Sequence, residues 1–230
     1  MLEETTFQAG SAVSVQNIQQ SIIRSLEASH REEAPNRHWY LHQVLPEDTC
    51  RDVVALPVEP PRIDDTQGKR ETHNSSRRFF NREANERFDA CRETAETFQS
   101  PEVVGAIERF FDVDLANTNL RIEHCLDTDG FWLAPHTDLG VKKFTMLLYL
   151  STDPGHEDWG TDVYADADTL AETAPAEFNS ALVFVPSNNT WHGFHKRPIT
   201  GLRRSLIINY VTQDWCARHE LSFPEQPVSA

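Results

Sequence analysis

The stretch ALVFVPSNNTWHGFHKRPITGLRRSLIINY, residues 181–210, decides the fold. It holds three strand-like segments, Ser180 to Val185, His192 to His195 and Arg204 to Val211. The first two are separated by the turn residues Pro186-Ser187-Asn188-Asn189. Working outward, the same texture reaches back through Thr161 to Ala165, Phe144 to Leu150 and Asn119 to Leu126. Asp153-Pro154-Gly155 and Asp127-Thr128-Asp129-Gly130 supply the turns between them. Before residue 112 the pattern changes. Ile18, Ile22, Ile23 and Leu26 make an apolar stripe that predicts a short helix over Asn17 to Ala28, whereas residues 1–16 show no clear period. His38 to His42 reads as a short strand, and Pro46 opens a short helix ending before Pro57. Charge and Ala/Glu/Arg content predict one helix over Asn81 to Gln99. A further helix starts at Pro101 with Ser100 as N-cap, its apolar face formed by Val103, Val104, Ile107, Phe110 and Phe111. Helices first and short strands afterwards predict a mainly β fold with flanking α, an antiparallel barrel or sandwich with an N-terminal helical layer.

The chemistry concentrates at two places in the strand-rich half. In Pro135-His136-Thr137-Asp138, an extended backbone sends His136 and Asp138 to one face and Thr137 to the other. His192, far downstream, can join them. Two imidazoles and one carboxylate with open positions opposite form the facial triad of non-haem Fe(II) sites. A lone His-x-Asp carries little information, because either residue is commonly a solvated or core polar group. The order of the three within one strand-rich half carries more, and Arg203 follows them. A guanidinium there can grip a carboxylate with two parallel hydrogen bonds.

Taken together, PHTD (135–138), FTMLLYL (144–150), GTDVYAD (160–166), ALVFVPSNNTWHGF (181–194) and PITGLRRSLIINY (198–210) resemble the 2-oxoglutarate and Fe(II)-dependent oxygenases, in particular the prolyl 4-hydroxylase-like group. The resemblance covers roughly residues 119–211. It implies a double-stranded β-helix (jelly-roll, cupin-like) core over 119–211, with 1–118 as a helical and support region of a single domain, 1–230. It implies His136, Asp138 and His192 as iron ligands, and Arg203, in the family's Gly-x-Arg-x-Ser position, as the residue that binds the distal carboxylate of 2-oxoglutarate. Ser205 then adds a second hydrogen bond from the same strand face. Arg204 points the other way unless a one-residue bulge exchanges the two. The chain departs from the family's Tyr-x-x-Gly pattern, because Asp127 precedes Gly130; that co-substrate contact then falls to Tyr149 or elsewhere. Asp138 argues against halogenation, since related halogenases carry Gly or Ala there. The implied reaction is O2-dependent hydroxylation coupled to conversion of 2-oxoglutarate into succinate and CO2.

Composition narrows the substrate. The formal net charge is −15, from 36 acidic and 21 basic residues, which repels phosphate backbones and argues against nucleic acid. Arg77-Arg78 and Lys196-Arg197 with Arg203-Arg204 are local exceptions that suit small anions. No apolar run approaches the ~20 residues needed to cross a bilayer, and the first residues lack the basic-then-apolar pattern of a signal peptide. A cytoplasmic setting is therefore expected. Cys50, Cys91, Cys125 and Cys216 form no C-x-x-C pair and read as small apolar residues.

The expected substrate is a small molecule such as an amino acid or natural-product intermediate. The alternatives are a protein side-chain (prolyl-type) hydroxylase, a non-enzymatic cupin-like binding module and a metal-dependent isomerase. The remaining residues have plain expectations. Residues 59–76 form a long loop, a surface excursion before a lid. His124 serves the core or supports the site from behind. Trp132, Trp191 and Phe194 pack around the metal segments. His195 and Lys196-Arg197 divide between surface placement and contact with an acidic substrate.

Overall fold

Strand alternation gives the chain two apolar surfaces to cover, and it covers both. A computed structural model describes residues 2–69, 77–138 and 140–229, with side chains from residue 14 onward. The elements are α1 (Leu2–Glu27), β1 (His30–Glu32), β2 (His38–His42), α2 (Glu47–Val54), β3 (Arg77–Phe79), α3 (Arg82–Arg87), α4 (Asp89–Gln99) and α5 (Pro101–Phe111). They continue with β4 (Asn119–Asp127), β5 (Leu133–His136), β6 (Lys142–Tyr149), β7 (Asp162–Tyr164), β8 (Leu170–Thr173), β9 (Ser180–Phe184), β10 (His192–Phe194) and β11 (Arg203–Val211). The larger sheet runs β1-β2-β9-β6-β11-β4-β3 and the smaller β5-β10-β7-β8, with every pairing antiparallel. Among the described residues no helix is long and apolar enough to cross a membrane.

One face of the larger sheet carries Leu120 and Ile122, Phe144 and Met146, Val183, Leu206 and Ile208. These join Ile18, Ile22 and Leu26 of α1, Phe98 of α4 and Ile107 and Phe111 of α5 in a single apolar cluster. The other face turns Cys125, Leu147, Tyr149, Leu182 and Ile207 toward Val163 of the smaller sheet. Strands buried on both sides lose the apolar/polar alternation of a half-solvated strand. That is why FTMLLYL and SLIIN read as near-continuous apolar runs.

Several elements differ from the sequence expectation. The helix expected over Asn81 to Gln99 is two helices. Phe88 adopts an extended conformation between them (φ −131°, ψ 119°) and packs against the helical cluster. Asn81 caps the first of the two, its side chain accepting from the Ala84 amide. α1 begins well before Asn17, because the apolar stripe marks only the turns that pack. Ser100 caps α5 as expected, accepting from the Val103 amide. Three strands of the larger sheet, β1, β2 and β3, come from residues before 119. Cys50, Cys91 and Cys125 are buried and Cys216 is exposed, all as free thiols.

His124 is the costly residue of this core. It lies on the helix-facing side of β4, fully buried, and neither ring nitrogen has a partner. Burial, aided by the charge of Arg204, pushes its pKa down to about 4. A depressed imidazole contributes stability that is whole above its unfolded pKa, about 6.5, and is lost as pH falls toward 4. Wild-type protein should therefore lose about 3 kcal/mol more than His124→Leu between pH 7 and pH 4. Urea unfolding of both proteins across that range measures the difference, and parallel curves would refute it.

Candidate metal centre and its cavity

Neighbouring strands bring the two histidines together. β5 and β10 are paired with His136 directly opposite His192, so the two rings lie 4.3 Å apart, centroid to centroid. Gly193 lets the strands meet, since a Cβ there would stand 2.8 Å from the Leu133 carbonyl oxygen. β5 ends at His136, so Asp138 reaches the centre from just beyond the strand and not along it as the spacing suggested. Its Oδ1 is 3.8 Å from His136 Nε2, and its Oδ2 is 3.6 Å from His192 Nε2. One ligand atom from each residue lies within 4.8 Å of the other two. Atoms bound at ~2.1 Å to a common ion stand roughly 3–4 Å apart, so a small inward movement of the side chains closes the set.

The backbone sets the tautomers. His136 Nδ1 lies 3.0 Å from the Ala134 carbonyl oxygen, and His192 Nδ1 lies 3.0 Å from that of Thr190. With each Nδ1–H donated to a carbonyl, both Nε2 lone pairs face the centre. Burial pushes the His192 pKa down to about 4 despite the nearby Asp138 carboxylate, which keeps the ring in its neutral, ligating form. Burial works against ionisation of Asp138, but Lys142, His192 and His136 together outweigh it and hold its pKa at about 2. Lys142 Nζ sits 2.8 Å from Asp138 Oδ1. Two inward-facing imidazole nitrogens and one ionised carboxylate suit Fe(II), and the three residues leave the side toward the cavity open.

That cavity holds about 440 Å3 and is lined by the triad, by Arg203 and Thr161, and by Arg121, Asn209 and Trp215; the register of β4 and β11 sets Arg203 and Arg121 at opposite ends of that strand pair. The cavity volume falls within the range of small-molecule sites. Arg203 opens β11 opposite Asp127, donating from Nη1 to Asp127 Oδ2 (2.5 Å) and from Nε to the Trp159 carbonyl (2.7 Å). Its guanidinium lies 4.6 Å from the centre of the Phe194 ring. Two residues on, Ser205 faces Tyr149 across the β11–β6 pair. Ser205 Oγ is buried without a partner. The Tyr149 hydroxyl accepts from the Thr161 amide (3.1 Å), and burial raises its pKa. Neither side chain lines the cavity itself. β4 and β11 keep continuous register, so no bulge exchanges Arg203 and Arg204. Arg204 instead lies 3.6 Å from Asp153, away from the cavity.

Other candidates are placed elsewhere. His124 is on the far face of the sheet. His195 and Arg197 both bond Asp162, a buried carboxylate that also accepts from Thr173, and Lys196 pairs with Asp65. Phe194 lines the cavity. Trp132 donates from Nε1 to Asp65. The expected loop is described as far as residue 69, and residues 70–76 lie outside the described residues. Its described part is fastened down: Thr66 bonds the Trp132 carbonyl, Ala134 donates to Gly68, and Ile63 is buried with Phe131 and Phe194.

Sequence reasoning missed Lys142, Arg121 and Glu123; it marked Arg77 only as part of a basic pair suited to small anions and Asp127 only as the residue standing in for the family's Tyr, not as the partner of Arg203. A signal for most of them existed in β4. Arg121, Glu123 and Asp127 alternate there with Leu120, Ile122 and Leu126, which marks a strand with one face on a core and the other on a polar cavity.

No family model matches the chain, and no curated protein does. Solved structures do. A prolyl 4-hydroxylase from Phytophthora capsici aligns with TM-score 0.56 and 12% identity, over 86% of this chain and 65% of that one. A prolyl hydroxylase from Trichoplax adhaerens, in complex with a hypoxia inducible factor oxygen degradation domain peptide fragment, aligns with TM-score 0.55 and 12% identity, over 90% and 92%. HygX from Streptomyces hygroscopicus, with nickel, 2-oxoglutarate and hygromycin B bound, aligns with TM-score 0.50 and 12% identity, over 77% and 83%. Such low identities speak to architecture. The chain has the jelly-roll fold of the prolyl 4-hydroxylase-like 2-oxoglutarate oxygenases.

Proposed function

We propose that the chain is an Fe(II)- and 2-oxoglutarate-dependent dioxygenase that hydroxylates an unactivated C–H bond of a small molecule. The observation that carries this reading is the convergence of His136 Nε2, Asp138 and His192 Nε2 at the wall of a cavity that also contains a buried, anchored arginine. Bound iron and 2-oxoglutarate would supply the O2-dependent oxidation.

The chain's own residues do the positioning. His136, Asp138 and His192 hold the metal, and Lys142 keeps the Asp138 carboxylate ionised and in place. Arg203 takes the distal carboxylate of 2-oxoglutarate. Asp127 and the Trp159 carbonyl occupy its Nη1 and Nε, and among the described residues Nη2 meets no acceptor. Ser205 Oγ, buried with nothing to bond, and the Tyr149 hydroxyl, which accepts from the Thr161 amide, are the further donors for that carboxylate; both lie behind the cavity wall, so engaging them requires the wall to open as the carboxylate enters. A buried hydroxyl without a partner costs roughly 1–3 kcal/mol, so a ligand that satisfies it recovers that cost. Phe184, its ring tilted against His192 with centres 4.6 Å apart, and Leu147 and Ile207 keep water from the inner side.

The volume of the cavity and its many charged groups favour a small molecule. A protein side chain is the second reading, because one similar structure holds a peptide. Anaerobic titration of the apo-protein with Fe(II) and 2-oxoglutarate should give a saturable visible charge-transfer band. Its absence in folded, iron-loaded protein would show that 2-oxoglutarate does not chelate the metal, and the binding-module reading would replace this one.

A further inference from the structure

The end of the cavity opposite Arg203 has a chemical character that the oxygenase reading does not use. β3, β4, β11 and the segment after β11 bring Arg77, Arg121, Asn209 and Trp215 to one wall. Among the described residues the cavity is lined by five cations, Lys69, Arg77, Arg121, Lys142 and Arg203, and by two carboxylates, Glu123 and Asp138. Asp127 and Glu220 brace Arg203 and Arg121. Even with these two counted, the cavity is cationic in a chain whose net charge is −15. A divalent metal on the triad would make it more so.

Glu123 is in no position to hold a substrate ammonium. Its oxygens already accept from Arg77, from Arg121 and from the Cys125 thiol. Arg121, fully buried, spends Nη1 on Glu123 and Asn209 and Nε on Glu220, and among the described residues no acceptor meets its Nη2. The Trp215 indole lies against the same guanidinium, 4.8 Å from ring centre to Cζ, and its Nε1–H is sheltered from water with no acceptor. Two donor groups, one charged and one neutral, thus lack acceptors on a single wall. Leaving them so is unfavourable, and one oxyanion satisfies both.

We propose that this wall binds a carboxylate of the molecule that is oxidised, so that the substrate is a small organic acid held by Arg121 Nη2 and Trp215 Nε1–H at the end of the β4–β11 pair away from Arg203. Its description as substrate rests on the oxygenase reading; the anion subsite itself does not.

The test uses full-length protein incubated with Zn(II) and saturating 2-oxoglutarate, which protects the Arg203 end. The probes are benzoate, benzamide and benzylammonium, one ring bearing three charges. Binding is read from the tryptophan indole resonances in 1H–15N spectra, with Trp215→Phe assigning the relevant peak. Benzoate should move the Trp215 resonance saturably and bind at least ~10-fold tighter than the other two, as expected for charge-assisted bonds. Trp215→Phe, titrated by calorimetry because it lacks the reporter peak, should weaken benzoate ~3-fold to ~10-fold. Arg77→Met, which lowers the positive charge of the wall without removing Arg121, should also weaken it. Equal binding of all three probes, tighter benzylammonium, or a Trp215 resonance that benzoate leaves in place would overturn the proposal. The two readings fail separately: loss of the iron–2-oxoglutarate charge-transfer band alone sinks the oxygenase, whereas a silent Trp215 with that band intact sinks only the acid subsite.

Discussion

Asp138→Ala should lose iron and hydroxylation together, with affinity for Fe(II) down by at least ~100-fold and turnover below detection. Removing a partner that merely orients a metal ligand already costs 10–100-fold in affinity or activity, and Asp138 is itself a ligand in this reading. Its carboxylate also supplies the only negative charge in the set, opposite the two imidazoles. Asp138→Asn keeps the volume and removes the charge, so it should fold like wild type and still fail to retain iron. Lys142→Met makes a graded companion. It removes the ammonium that holds Asp138 Oδ1 but leaves all three ligands, so its loss should be smaller. Competition with a chromogenic chelator gives the affinities, and circular dichroism confirms the fold. Wild-type iron retention in folded Asp138→Ala would remove that residue from the ligand set.

The triad was legible because its information is local and chemical: a His-x-Asp, a later His and an arginine, all in a strand-rich half. Its bracing was harder to see. The Asp127–Arg203 pair exists because β4 and β11 run antiparallel in a register that sets the two residues opposite one another, and register is a tertiary property. The two carbonyls that fix the imidazole tautomers belong to Ala134 and Thr190, residues whose side chains announce nothing. Strands with a buried apolar face were found to within about two residues. The edge strands β1, β3 and β8 were not, since three or four residues joined by backbone hydrogen bonds carry no detectable period. The break at Phe88 was missed for a different reason. Ala, Glu and Arg content over Asn81 to Gln99 favours helix on the whole, which hid the weak formers Phe88 and Asp89 where the half-buried Phe88 ring packs and the helix breaks.

The co-substrate arginine gives the second large effect, and its burial dictates how that effect must be measured. Arg203→Ala alone would break a buried ion pair from one side, since the Asp127 carboxylate is 1% exposed. Breaking a buried pair from one side costs roughly 3–5 kcal/mol, so a dead single variant would say little about 2-oxoglutarate. Replacing both partners is far milder, because no buried charge is then stranded. Arg203→Met/Asp127→Asn should therefore remain folded and keep Fe(II) affinity near the wild-type value. Its half-saturating 2-oxoglutarate concentration, read from the charge-transfer band, should rise at least ~100-fold, as loss of a charge-assisted anchor of about 3 kcal/mol requires. Ser205→Ala should raise it less, since it removes one neutral donor beside the arginine. If the double variant folds, holds iron and binds 2-oxoglutarate as before, Arg203 is a structural cation. The distal carboxylate must then sit at the other cationic wall, on Arg121, and the two ends of the cavity exchange roles.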